Sequence, residues 1–186
     1  MSIYIINTEP EASAAADADE MLIYDASADA TQKLGLDTLR QYVGSGVVEL
    51  TASDAITPAE HGNRAITLNA LAGLTATLPA ATGTGNSYSF AVSVTVTSND
   101  YIILVANATD EFVGTLLQTD VDSSDALVSY PCLDADGFDT ITLNGSTSGG
   151  IMGDQIVLQD IATGKWAISG HINSTGTVVT PFSAGV

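Results

Sequence analysis

The sequence predicts a mainly β fold: an antiparallel β-sandwich or jelly-roll-like domain, preceded by a short N-terminal module with one short helix. Three observations carry that prediction. In Asn86–Val96 (NSYSFAVSVTV), Phe90, Val92, Val94 and Val96 alternate with Ser89, Ala91, Ser93 and Thr95. Strand side chains point to opposite faces with period two, so one face is apolar core and the other small and hydroxylated. From Val47 onward helix signals nearly vanish. Turn signals instead recur between short β-branched runs, as in sandwiches and jelly rolls.

Taken in order, the first 46 residues differ from the rest. Glu9–Glu20 is rich in Ala and acids with one Pro, a flexible or marginally helical linker. Met21–Tyr24 is a short apolar run, Asp25–Thr31 (DASADAT) a turn and Lys33–Leu36 a second run, so a hairpin or loop pair is expected. Asp37 can cap a short helix through Val43, because its carboxylate accepts free amide hydrogens of the first turn. Leu36, Leu39 and Val43 form that helix's apolar stripe, and Gly44-Ser45-Gly46 ends it. The boundary therefore falls between residues 1–46 and a β-rich domain, 47–186. Strands are expected at Ala65–Leu68, Thr75–Leu78, Tyr101–Val105, Thr140–Leu143, Gln155–Gln159 and Lys165–Ser169. Turns at Pro79–Asn86, Ser98–Asp100, Asn107–Asp110, Asn144–Asp154 and Ala162–Gly164 separate them. Leu158–Ser169 (LQDIATGKWAIS) is the clearest hairpin, with Gly164 free to take positive φ at its tip and Trp166 and Ile168 on one face. No internal repeat is evident in the sequence.

Composition narrows the function. Acids outnumber bases 22 to 4, for a formal net charge of -18, yet only 14% of residues are charged. Such a surface repels nucleic acid and anionic membranes, and Lys33, Arg40, Arg64 and Lys165 form no cluster. The acidity serves solubility and suppresses nonspecific contacts, attracts a basic partner surface, or holds cations. No window approaches the roughly eighteen apolar residues of a membrane span. Met1–Asn7 lacks the basic and apolar regions of a secretory signal, so synthesis in a cytoplasm is expected. Cys132 is the sole cysteine, which rules out an intrachain disulfide and suits a small buried hydrophobe in Tyr130–Leu133.

Chemistry has few places to reside. Asp120, Asp122 and Asp125, and again Asp134, Asp136 and Asp139, each put three acids within six residues. Ca²⁺ takes six to eight oxygen ligands from such loops, so a structural cation is one reading and solvated turns the other. Neither loop fits the twelve-residue EF-hand pattern. His61 and His171 are the only imidazoles, and no Gly-x-Ser-x-Gly elbow is present. Each histidine reads as a hydrogen-bonded structural residue, although two could share a metal between subunits. Gly83-x-Gly85 and Gly149-Gly150 lack the strand–loop–helix context of a phosphate cradle. No enzyme is expected.

Several segments resemble those of tailed-bacteriophage virion proteins. Asp19–Val43 (DEMLIYDASADATQKLGLDTLRQYV) is similar to a short N-terminal module of phage fibre, tail and head-surface proteins. The segments "ITLN", "TATLPAATGTGNSYSF" and the valine-rich run within Ala65–Val96 resemble the start of the β-domain that follows it. Gly153–Gly170 resembles the hairpin that often closes that domain. The resemblance implies a non-enzymatic, homotrimeric subunit on the capsid surface, a decoration (cement) protein, with a short head or tail fibre binding a host receptor as the alternative. It implies attachment to the major capsid protein or another virion protein. Leu22, Ile23 and Tyr24, with Leu36, Leu39 and Tyr42, are the attachment candidates. It supplies no catalytic residue, cofactor, nucleic acid or membrane partner.

Overall fold

The computed structural model describes residues 20–25, 30–35, 46–122 and 126–185. Contacts divide the chain into two units, Met1–Val43 and Gly44–Val186. In the first, β1 (Glu20–Asp25) and β2 (Ala30–Gly35) form an antiparallel hairpin that sets Glu20 opposite Gly35 and Asp25 opposite Ala30. The expected linker before Glu20 and the helix over Asp37–Val43 lie outside the described residues.

The second unit is mainly β, as expected. Its elements are β3 (Val47–Leu50), β4 (Asp54–Ala55), α1 (Pro58–His61), β5 (Ala65–Leu68), β6 (Leu74–Thr77), β7 (Ser87–Val92) and β8 (Tyr101–Leu104). There follow β9 (Glu111–Asp120), β10 (Leu127–Cys132), β11 (Thr140–Leu143), β12 (Gln155–Ala162), β13 (Lys165–Ser174) and β14 (Phe182–Ser183). A seven-stranded sheet has the order β10-β9-β13-β12-β7-β5-β3, and a five-stranded sheet the order β14-β11-β8-β6-β4. One hydrophobic core draws on both, from Ile66, Phe90, Leu158 and Trp166 of the larger sheet to Ala76, Ile103, Ile141 and Leu143 of the smaller.

The sheets are mixed rather than purely antiparallel, because the chain winds. Strands β3, β5 and β7 lie parallel in the larger sheet while β4, β6 and β8 lie parallel in the smaller, so the chain visits the two sheets alternately. Val47 pairs with Ala65 and Ala65 with Ser89, so successive turns of this coil take 18 and 24 residues. Beyond β8 the connections become mostly antiparallel, through β12–β7, β12–β13, β10–β9, β11–β8 and β14–β11, with β13 and β9 the parallel exception.

Local chemistry explains the elements. In β7 Tyr88, Phe90 and Val92 are buried while Ser87, Ser89 and Ala91 are partly exposed, as the alternation predicts. The strand stops at Val92, short of the expected Val96. Beyond it the Ser93 hydroxyl donates to the Leu68 carbonyl at 3.0 Å and the Tyr101 hydroxyl donates to the Val94 carbonyl at 2.9 Å. Side chains thus take up backbone acceptors that a ladder would otherwise use. The β12–β13 hairpin turns through Gly164 at φ 76°, after a bulge between Asp160 and Ala162. Trp166 and Ile168 are both buried, and Trp166 meets the Tyr88 ring at 5.7 Å between centroids.

Candidate functional site

The two acid-rich loops close turns. Asp120 is buried at the end of β9 and accepts from the Asp122 amide at 3.3 Å, and Asp122 in turn accepts from the Gly176 amide at 2.7 Å. Asp125 lies outside the described residues. Asp134 is exposed and pairs with Lys165, whose hydrogen bond holds its carboxyl below the usual range. Asp136 accepts from the Leu133 amide at 2.7 Å, and buried Asp139 accepts from the Thr140 hydroxyl at 2.7 Å and the Gly185 amide at 2.9 Å. Among the described residues, no three His, Cys, Asp or Glu side chains come together as a metal would require. Leu22, Ile23 and Tyr24 fall on β1, and Leu36, Leu39 and Tyr42 lie outside the described residues.

The histidines are held by their neighbours. His61 is buried on α1, where Nδ1 accepts from the Thr57 amide at 3.1 Å and Nε2 lies 3.7 Å from Asp54 Oδ2. Thr57 caps the same turn by accepting from the Glu60 amide. His171 is exposed on β13, with Nε2 2.8 Å from the Thr119 hydroxyl. Cys132 is buried, as expected, and burial pushes its thiol up to about 12, so it is protonated and unreactive near neutrality.

Three buried carboxylates that sequence reasoning missed organise the loops. Asp160 accepts from the Thr82, Gly83 and Thr84 amides at 3.0, 2.6 and 2.9 Å and from the Thr84 hydroxyl at 2.7 Å. Burial acts to raise its pKa, but these hydrogen bonds outweigh burial and hold the carboxyl below the ordinary range. Asp154 accepts from the Gly150, Ile151 and Asn173 amides, yet burial prevails there and lifts its pKa. Asp110 accepts from the Ala81 amide at 2.8 Å. The available signal was position: Asp160 and Asp154 continue the inward-facing series Ile156, Leu158, where a charge requires partners.

Two open depressions lie among the described residues. One, of about 480 Å³, is lined by Val113, Thr115, Cys132 and Leu133, with Lys165 paired to Glu111 and Asp134 at its rim. The other, of about 420 Å³, lies beside β3 and is lined by Glu49, Asp54, Glu60, His61 and Arg64. Arg64 Nη1 donates to the Glu60 carbonyl at 2.8 Å. Neither sets an activated nucleophile beside a base.

The outer face of the seven-stranded sheet is broad and carries few charges. Register sets Pro131, Thr115, Ser169, Val157, Ser89 and Ala65 in one row across it. The next row holds Ser129, Leu117, His171, Gln155, Ala91 and Thr67. Among the described carboxylates of Gly44–Val186, Glu49 on edge strand β3 and Glu111 at the start of β9 share this outward phase, and Asp134 reaches the face from the turn after β10; Lys165 pairs with both Glu111 and Asp134. Large apolar groups are exposed here: Val47 and Leu127 at 62%, Leu117 at 39% and Val157 at 37%. No family model, curated protein or solved structure matches the chain.

Proposed function

We propose that this chain is a structural protein of a tailed-phage particle: a decoration protein that associates as a trimer on the capsid surface and reinforces the shell. The observation that carries the reading is the outer face of the larger sheet, mostly uncharged on a chain of net charge -18, with Glu111 and Asp134 paired to Lys165. A solitary acidic protein gains nothing from exposing Leu117, Val157 and Leu127 together, whereas an assembling one buries them. The segments Asp19–Val43, Ala65–Val96 and Gly153–Gly170, which resemble phage surface proteins, point to the kind of assembly. In this reading the N-terminal module, with Leu22, Ile23, Tyr24, Leu36, Leu39 and Tyr42, attaches to the major capsid protein. The β-domain bridges neighbouring subunits, and the bridging energy favours the intact shell by mass action.

The test compares complete particles with particles lacking this chain, by rupture temperature and by copy number in cryo-electron micrographs. Hundreds of copies, and earlier rupture of depleted particles that is reversed when the chain is added back, are expected. Equal rupture temperatures combined with lost adsorption to host cells would instead assign a short receptor-binding fibre.

A further inference from the structure

We propose that the outer face of the seven-stranded sheet is the surface through which copies of this chain bind one another. The assignment rests on the trimeric reading above and names its interface. Electrostatics selects the occupant. Within Gly44–Val186, and apart from Glu49 and the Lys165-paired Glu111 and Asp134, the described carboxylates lie in loops, in turns or on the inner side of the sheet. Two chains of charge -18 that met through their acidic loops would press carboxylates together. On this face they meet through Ser, Thr, Ala, Val and Leu. A basic partner, by contrast, would find its complement on the loops rather than here.

Shape and size agree. Small outward residues such as Ala91, Ser89, Ser169 and Ala167 let another backbone come close, and packed sheets lie about 10 Å apart. Seven strands of four to ten residues, at about 4.8 Å spacing and about 3.3 Å rise per residue, make a face on the order of the ~800 Å² that each partner gives to a stable interface. Three such faces enclose a threefold axis as the sides of a prism, each meeting both others. That arrangement closes without a free apolar face. The five-stranded sheet is the weaker choice. Its outward Thr75, Thr77, Ile102, Leu104, Thr140 and Thr142 carry no charge either, but it exposes no large apolar side chain.

The experiment measures sedimentation of the full chain at micromolar concentration and moderate salt. The native chain is expected to sediment as a trimer. L117D/V157D is expected to weaken association on the order of 100-fold or more, because the new carboxylates would be desolvated beside one another. T75D/T142D adds the same two charges to the other sheet and is expected to stay trimeric. Circular dichroism and the unfolding midpoint show whether each variant is folded. V157C supplies a second reading that needs little tolerance: a flexible bismaleimide long enough to span half the width of the face is expected to join chains through position 157, while S183C on the smaller sheet gives no such product. A trimeric L117D/V157D, or cross-linking by S183C but not V157C, would move the interface elsewhere and leave the decoration reading standing. A monomeric native chain that still binds particles would overturn self-association alone. A chain that neither associates nor binds particles would overturn both.

Discussion

At the residue scale, two buried tyrosines provide a controlled comparison. The Tyr101 hydroxyl accepts from the Ala70 amide at 2.9 Å and lies 2.9 Å and 3.3 Å from the Val94 and Leu68 carbonyls. The Tyr88 hydroxyl is buried with no hydrogen-bond partner among the described residues, and burial, then the charge of Asp160, lifts its pKa to about 12. Y101F is therefore expected to cost about 1–3 kcal/mol in chemical denaturation, because it strands a partly buried amide, and Y88F less than about 0.5 kcal/mol. Equal losses would show that the Tyr88 hydroxyl is satisfied. Two aspartates give opposite pH signatures. The folded pKa of Asp160 is depressed, so its stabilisation is present above its unfolded value near 3.8 and lost as pH falls through the folded value. Asp154 has a raised pKa, so its contribution is full below the unfolded value and declines as pH rises through the folded one. On acidification from pH 7 to 3, the stability gap between the native chain and D160N is expected to hold down to the unfolded value near 3.8 and then to narrow. The gap to D154N is expected to widen over the same range, read from urea midpoints.

At the element scale, the parallel join of β9 to β13 links the β10–β9 pair to the rest of the larger sheet. It depends on Gly114, which has φ 141°, and a Cβ there would sit 2.1 Å from the Ile168 carbonyl oxygen. Backbone, not a flexible side chain, would have to yield. G114A is expected to destabilise the fold by about 2–4 kcal/mol and to raise hydrogen exchange first in β9 and β10. Uniform protection with an unchanged midpoint would show that the join relaxes freely. The loop over Thr82–Thr84 depends on β12 in the same way. Its three amides converge on the Asp160 carboxylate, which ties a segment of the coil to the closing hairpin across nearly eighty residues of sequence.

At the scale of the whole molecule, the core residues of the described structure lie between Leu50 and Phe182. The fragment Gly44–Val186 is accordingly expected to fold alone and unfold in a single transition, reported by Trp166 fluorescence, with the particle-binding function lost. A fragment without near-UV circular dichroism would show that the N-terminal unit completes the fold. Net charge makes a separate prediction. Screening shortens from about 30 Å at 0.01 M salt to about 10 Å at 0.1 M, so association is expected to tighten steeply over that interval and level off above it. Salt-independent association would mean that the acidic loops stay well clear of the interface and of one another.

The sequence by itself determined the local β-structure. Alternation in Ser87–Val92, the β-branched runs at Ala65–Leu68 and Thr140–Leu143, and the glycine turn of β12–β13 are all written in side-chain period and turn chemistry. Other strands escaped that logic for physical reasons. In β9 the inward series Phe112, Leu116, Gln118, Asp120 mixes polar with apolar groups, because Gln118 reaches the Thr147 carbonyl at 2.7 Å and Asp120 caps a turn. That blurs the alternation. Only the tertiary structure decided the winding, since turns of 18 and 24 residues leave no constant period for a sequence to display. It also decided which carboxylates are buried and which strands share the sparsely charged outer face. Parallel pairing between distant segments, unlike a turn or a strand, depends on shared burial, and no local window of residues contains that information.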